Sequence, residues 1–281
     1  MREIKTDDII KAVAHLFEHS CHYLPEDVVA ALKQARGKEK SPVCRDVLDR
    51  ILKNVEISAK EQIPLCQDTG FSVVWLELGQ EVRITGGDLY AALNEGVRQG
   101  YGNGYLRKSV VRQCFSARVN TKDNTPADIW TEIVPGDKLK ITVMPKGGGS
   151  ENMSRLTVLS PAQSRQGIMD FVVNRVDESG SNPCPPVIVG VGIGGTTEKT
   201  MMLAKKALLR KVDEPNPDSE VAGLERDILE RVNNLGIGAM GYGGTVTALG
   251  VHVETFPCHI ASLPVAVCLM CWCGRHEEAI L

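Results

Sequence analysis

The hydrophobic pattern of this chain changes its texture near residue 60, and that change restricts the folds open to it. Before it, Val43, Val47, Leu48, Ile51, Leu52 and Val55 recur at three- and four-residue steps, the stripe of a helix with one buried face. Two more helices precede this one: Thr6 is placed to cap a segment through about His19, and Pro25 sits early in a second that ends near Gly37. Ser41 and Pro42 open the third. After the change come short apolar runs broken by glycine, FSVVWLEL, VRIT, IWTEIV and KLKITVM, which read as strands, with a helix between them at about Asp88 to Arg98. Beyond Pro161 a helix is expected to about Val176, then PPVIVGV as a buried strand, then helices at about Thr197 to Leu209 and Ser219 to Asn233, with KVDEPNPDS as a loop. The expected fold class is α/β (mixed α+β): a helical N-terminal part over about 1–60, followed by mixed sheets flanked by helices.

No repeat, low-complexity tract or linker divides the 281 residues, so a single domain over 1–281 is expected, with a possible subdivision near 150 where the strand-rich part gives way to alternating strands and helices. Lys and Arg number 32 against 35 Asp and Glu. Such a chain has no cationic excess with which to displace counterions, and a nucleic-acid binder is not expected. The N-terminus MREIKTDDII is charged where a secretory signal needs an apolar core, and the most apolar stretch, 260–273, is short for a bilayer and holds Pro264. A cytoplasmic protein with no membrane partner is expected. Nine cysteines, an odd number without a secretory signal, read as reduced thiols.

Several segments could carry chemistry. Residues 190–195 spell GVGIGG after a strand and before a helix, where a dinucleotide pyrophosphate would sit. That fingerprint also needs a second parallel strand directly after the helix, ending in an acidic residue, and here the helix runs into KVDEPNPDS; Asp213 and Glu214 fall in that loop. A nicotinamide cofactor is therefore not favoured. PKGGGSEN (145–152) follows a strand, and its three glycines can turn backbone N–H groups toward a carboxylate or phosphate; a flexible hairpin turn explains the run equally well. Cys258, Cys268, Cys271 and Cys273 invite a zinc-binding reading, although only one C-x-x-C pair is present. Cys66 in PLCQDTG and Cys184 in NPCPPV stand in turns, as loop ligands of a cluster do, while any one cysteine can equally be a small buried hydrophobe. Gln67 and Asp68 follow Cys66 directly, which suits acid–base work beside whatever that thiol binds. His259 alone among the histidines lies between Pro-containing apolar segments; His15, His19 and His22 belong to a helix.

Taken together, PLCQDTG, GYLRKSVV, VNTKDNTPA, PKGGGSENMSRL, NPCPPVIVGVGIGGTTEKTMMLAKKALLR, NNLGIGAMGYGGT and HIASLPVAV resemble the alpha subunit of class I, iron–sulfur fumarate hydratase, from about residue 25 to the C-terminus. The related L-tartrate dehydratase alpha subunit shares CQDTG and the NPCPP-type segment, whereas KGGGSENMS and IGGT resemble the fumarase side. The resemblance implies a 4Fe-4S cluster held by Cys66, Cys184 and Cys271, the last because the family's third ligand lies twelve residues after the motif histidine. Cys258, Cys268 and Cys273 fall where the family has other residues. It implies a hydro-lyase that adds water to fumarate to give L-malate, with the iron that lacks a protein ligand acting as Lewis acid. By the same resemblance Gln67 and Asp68 border cluster and substrate, and His259 contacts the substrate or hydroxide side. Arg107 and the loop Gly147, Gly148 and Gly149 are candidates to meet the charge that builds on the substrate carboxylate. A separate fumarate hydratase beta subunit, an α2β2 assembly, a small dicarboxylate substrate, oxygen sensitivity and a place in the tricarboxylic acid cycle complete the expectation. The alternatives are an L-tartrate dehydratase alpha subunit and, from another class, a zinc-binding interaction subunit.

Overall fold

The structure, a computed structural model, describes residues 2–281. In chain order its elements are β1 (Arg2–Lys5), α1 (Thr6–His22), α2 (Glu26–Lys38), α3 (Pro42–Glu61), β2 (Phe71–Gly79), β3 (Val82–Thr85), α4 (Leu89–Asn103), β4 (Asp128–Val134) and β5 (Leu139–Lys146). There follow α5 (Gly148–Glu151), β6 (Arg155–Leu159), α6 (Ser164–Ser179), β7 (Val187–Gly194), α7 (Thr197–Ala207), α8 (Ser219–Asn233), β8 (Ala248–Phe256), β9 (Leu263–Met270) and β10 (Glu277–Ile280). The fold is mixed α/β: a short strand, β1, precedes the three N-terminal helices expected over about 1–60, and mixed sheets flanked by helices follow. Thr6 is not a cap: Lys5 holds the N-cap position of α1 without a side-chain bond, and Thr6 is the buried first residue of the helix. Among the described residues no helix is long and apolar enough to cross a membrane.

The chain forms two compact units. The first comprises residues up to Pro25, Val55–Gly148 and Arg275–Leu281. Its main sheet has the order β10-β5-β2-β4, with β5 antiparallel to both neighbours and β2 parallel to β4; β1 and β3 pair in parallel beside it. Ile9, Val13, Leu16 and Phe17 of α1 and Leu93, Val97 and Tyr101 of α4 bury against Val74 and Leu76 of β2 and Ile141 and Val143 of β5. The two helices pack backbone to backbone, since a Cβ on Gly100 would stand 2.7 Å from the Ala14 carbonyl oxygen.

The second unit comprises Glu26–Asn54 and Gly149–Gly274, around a sheet of order β6-β9-β7-β8 in which β7 runs parallel to β8 and antiparallel to β9. Strand β7 shows why its sequence reads as it does. Val187, Val189, Val191 and Ile193 point into a core with Ile168 and Val172 of α6 and Leu224 and Ile228 of α8. Gly190 and Gly192, on the alternate positions, face α7: a Cβ on Gly190 would lie 2.1 Å from the Ala204 oxygen, and one on Gly192 2.0 Å from the Thr200 oxygen. Gly190 and Gly192 of GVGIGG thus admit a helix backbone, and the parallel partner β8 follows α8, not α7. The dinucleotide fingerprint is a packing motif in this chain.

Two buried titratable groups, Glu39 and His252, tie the second unit together. The Glu39 carboxylate accepts N–H groups of Lys40, Ser41, Thr245 and Val246 at 2.8 to 3.1 Å; burial pushes its pKa up, but these donors together hold it below the ordinary carboxylate range. His252, 2 % exposed, turns Nδ1 to the Arg210 guanidinium, which also pairs with Glu225 and Glu254. Burial first, and Arg210 second, lower its pKa from 6.5 to about 4, with Asp27 opposing. The imidazole is therefore neutral in the folded protein where the unfolded chain would protonate it. Stability is complete above about pH 6.5 and falls as pH drops toward 4, by about 3 kcal/mol for this group. Denaturation midpoints measured from pH 7 to pH 4.5 should fall less steeply in His252→Gln than in wild type; parallel curves would contradict the assignment.

Candidate active site

The PLCQDTG segment is the connection from α3 to β2, and the fold uses each of its polar groups. Leu65 N–H bonds to the Cys21 carbonyl at the end of α1, which sets where the turn begins. Asp68 Oδ1 accepts the Gly70 N–H at 3.0 Å, a local turn closed by the side chain, and Oδ2 accepts the Gly148 N–H at 2.7 Å. The anion met by the glycine run is therefore the Asp68 carboxylate. Gly70 has φ +82, and a Cβ there would lie 2.6 Å from both the Lys146 nitrogen and the Pro145 carbonyl carbon. Only glycine lets the turn press on the end of β5 so closely that Asp68 reaches the loop beyond it.

The carbonyls of the same turn are held from below. Tyr101 Oη donates to Thr69 O at 2.6 Å, Asn124 Nδ2 donates to Gly70 O at 3.2 Å, and Arg275 Nη2 donates to Asp68 O at 2.8 Å. Arg275 is 1 % exposed, so its charge works on the Asp68 backbone oxygen inside the unit. Thr69 Oγ1 donates to the Arg107 carbonyl at 2.7 Å, which brings Arg107 to this turn with its side chain exposed. Sequence reasoning missed Tyr101, Asn124 and Arg275. Tyr101 and Asn124 lie at or near the quoted segments, but nothing in a single sequence distinguishes a tyrosine that bonds a turn from one that only packs.

The cysteines separate by exposure. Cys66, Cys184 and Cys271 are partly exposed, whereas Cys21, Cys44, Cys268 and Cys273 are buried and Cys114 and Cys258 exposed, with no disulfide among the described residues. Burial pushes the Cys21 thiol up to about 11, leaving it protonated and inert. Cys66 Sγ stands 3.4 Å from Gln67 Oε1 in the first unit. In the second, Trp272 N–H bonds to the Cys184 carbonyl at 3.2 Å, which sets Cys271 beside Cys184 in the backbone. Cys184 takes φ +56, an uncommon conformation for a non-glycine residue. Gly149 packs on the turn before it, a Cβ there falling 3.0 Å from the Asn182 oxygen.

His259 lies in the second unit on the exposed loop after β8. Its Nδ1 accepts the Ala261 N–H at 3.1 Å, which puts the proton of the neutral ring on Nε2. It lines a groove of about 440 Å³ with Arg165, Ile168, Leu224, Cys258 and Ile260. The fold thus assembles Cys66, Gln67, Asp68, Arg107, Gly147 and Gly148 in the first unit, and Cys184, Cys271 and Gly149 in the second, where His259 stands on its own loop.

The zinc-binding reading is not supported. Cys258 is exposed on a loop with its thiol on Ser262 O, while Cys268 points into the sheet at Ser154 and Glu151. Among the described residues no three His, Cys, Asp or Glu side chains are grouped to hold a single metal ion. An iron–sulfur cube asks for something else: soft thiolates, each reaching a different corner, on partly exposed loops. Cys66 in the first unit and Cys184 and Cys271 in the second each have that donor chemistry and that exposure.

A carboxylate fixed by two backbone amides stands two residues from a partly exposed thiol on one turn, to which the exposed Arg107 is tied through its carbonyl. The family described as Fumarate hydratase (Fumerase) matches residues 10–280, and the chain belongs to it; it is a hydro-lyase. A chain of Methanocaldococcus jannaschii, provisionally described as an L(+)-tartrate dehydratase subunit alpha, is 42% identical over 273 residues, 95% of either chain. The L(+)-tartrate dehydratase subunit alpha of Escherichia coli K12 is 33% identical over 262 residues, 92% of this chain and 86% of its own. That of Shigella sonnei matches to the same extent.

Proposed function

We propose that this chain is the alpha subunit of an iron–sulfur hydro-lyase that interconverts fumarate and L-malate, with Cys66, Cys184 and Cys271 as the ligands of a 4Fe-4S cluster and a separate beta subunit completing the enzyme as α2β2. A cytoplasmic location belongs to the same reading. The observation that carries it is the Asp68 carboxylate held by Gly70 and Gly148 next to Cys66, in a chain of this family. When bound, the cluster supplies a Lewis acid toward the substrate's hydroxyl and carboxylate.

The protein's own groups supply the rest. Asp68 presents a carboxylate whose Oδ1 and Oδ2 are oriented by backbone amides, so it accepts or returns a proton without reorganising. Gln67 offers an amide next to the same thiol. The Arg107 guanidinium meets a substrate carboxylate, whose negative charge grows as the neighbouring carbon loses its proton. Gly147 leaves room at Asp68, where a Cβ would stand 3.4 Å from Oδ2. His259, with its proton on Nε2, donates to the hydroxyl that leaves or arrives.

A second reading, L(+)-tartrate dehydratase alpha, is favoured by the names of the curated relatives. L-malate and L-tartrate differ in one hydroxyl on the reacting skeleton, and a site built to bond that hydroxyl discriminates strongly. The chain reconstituted anaerobically with iron and sulfide, together with its beta subunit, is expected to show broad absorption near about 400 nm, as thiolate-bound clusters do. It should turn over fumarate in preference to L-tartrate, and lose both signals in air. Changing Cys66, Cys184 and Cys271 to Ser together should abolish the absorption; its persistence would exclude these ligands. Turnover of L-tartrate with fumarate untouched would replace the first reading by the second.

A further inference from the structure

Residues 105–122, between α4 and β4, make an ordered excursion from the first unit. Arg112 N–H bonds to Val119 O at 2.7 Å, Thr121 N–H to Val110 O at 2.9 Å, and Ser116 and Arg118 N–H close the tip on Gln113 O. Val111 and Asn120 form an isolated antiparallel bridge, and Asn124 Oδ1 pins the base by accepting Ser109 N–H at 2.7 Å. Leu106 and Val110 root the base in the core, while the apolar groups beyond them face outward. Phe115 at the tip is 94 % exposed, Tyr105 at the base 91 %, and Val119 is more than half exposed.

Its charge is one-sided. Arg107, Lys108, Arg112, Arg118 and Lys122 stand in this stretch with no carboxylate among them, in a chain whose net charge is −3. The adjacent Asp123 is engaged by Arg98 and Thr125. Aromatic side chains held in water by an internally bonded hairpin cost apolar exposure that a collapsed loop would avoid, and aromatic residues with arginine are the composition of interface anchors.

We infer that this hairpin arm is the docking element for the separate beta subunit, with Phe115 entering an apolar pocket ringed by carboxylates that pair with Arg112 and Arg118. The inference rests on the two-subunit reading above. It also gives the partner a route to the site, because the base of the arm is bonded through the Arg107 carbonyl to Thr69 of the CQDTG turn.

The test uses the full chain co-expressed under nitrogen with its tagged beta subunit, and measures how much of this chain is captured. Phe115→Ser should reduce capture about tenfold or more. Arg112→Glu with Arg118→Glu should weaken it and flatten its dependence on salt. Both variants should keep the wild-type thermal midpoint and, after reconstitution, the cluster absorption, since Phe115 and Arg112 are exposed and Arg118 bonds to the Cys114 carbonyl within the tip itself. Capture equal to wild type in both variants, with the fold intact, overturns the inference and leaves the two-subunit reading standing. Failure of the wild-type chain itself to be captured removes that reading and this inference with it. Self-association of the wild-type chain that Phe115→Ser abolishes, with beta-subunit capture unchanged, assigns the arm to a second copy and likewise overturns it.

Discussion

Asp68→Asn is expected to lower kcat of the reconstituted enzyme by about 10²–10⁴-fold while leaving the cluster absorption in place, a loss of the size that removing a positioned proton acceptor produces. The argument comes from the two bonds on that side chain. Oδ1 takes the Gly70 N–H and Oδ2 the Gly148 N–H. An amide offers only one oxygen, so in the variant an NH2 group must face one of these N–H donors. The donor left without an acceptor costs about 1–3 kcal/mol if it stays buried, and the simplest relief is for the 147–149 loop to withdraw. KM should therefore rise alongside the fall in kcat. A kcat within about threefold of wild type would remove Asp68 from the acid–base role.

Gly192→Ala should be among the most destabilising single-methyl additions this chain admits, by about 3 kcal/mol or more. The added carbon would sit 2.0 Å from the Thr200 carbonyl oxygen and 2.7 Å from the Ala204 nitrogen, both backbone atoms of α7, so no rotamer change relieves the clash. Gly223→Ala in α8 is the control: its nearest neighbours are the Arg226 and Arg165 guanidinium ends at 3.7 and 3.9 Å, and a helical Gly→Ala change there should be neutral or stabilise by up to about 1 kcal/mol. Denaturant midpoints of the two variants decide the matter. If Gly192→Ala folded as stably as wild type, the packing account of GVGIGG would be wrong, and a nucleotide role for those glycines would have to be tested again with NADH.

Elements with strong local period were legible before any coordinates. The stripe from Val43 to Val55 became α3, and FSVVWLEL, VRIT and KLKITVM became β2, β3 and β5. Sequence reasoning marks none of β1, β6, β8 and β10, and β9 only as an apolar stretch. RLTVL is five residues long, and EEAI has no apolar run of its own; it is a strand because its backbone pairs with β5 at the edge of the sheet. The fragment GVGIGG had two opposite readings with the same letters. What separates them is which face of a period-2 strand a helix covers, and α7 covers it from outside the fragment.

The candidate site divides in the same way. By itself the order of amino acids determined the chemical types on offer, two cysteines in turn-forming surroundings, a carboxylate two residues from a thiol, and a glycine run able to present amides, together with the helices and strands whose periods are local. Only the tertiary structure decided that the amide on Asp68 comes from Gly148, 80 residues away, and that the guanidinium under the same turn comes from Arg275, 207 residues away. Period and turn preference are properties of a few neighbouring residues, whereas a hydrogen-bond partner is chosen by which surfaces the packed core leaves facing each other, and that choice is made by the whole chain at once.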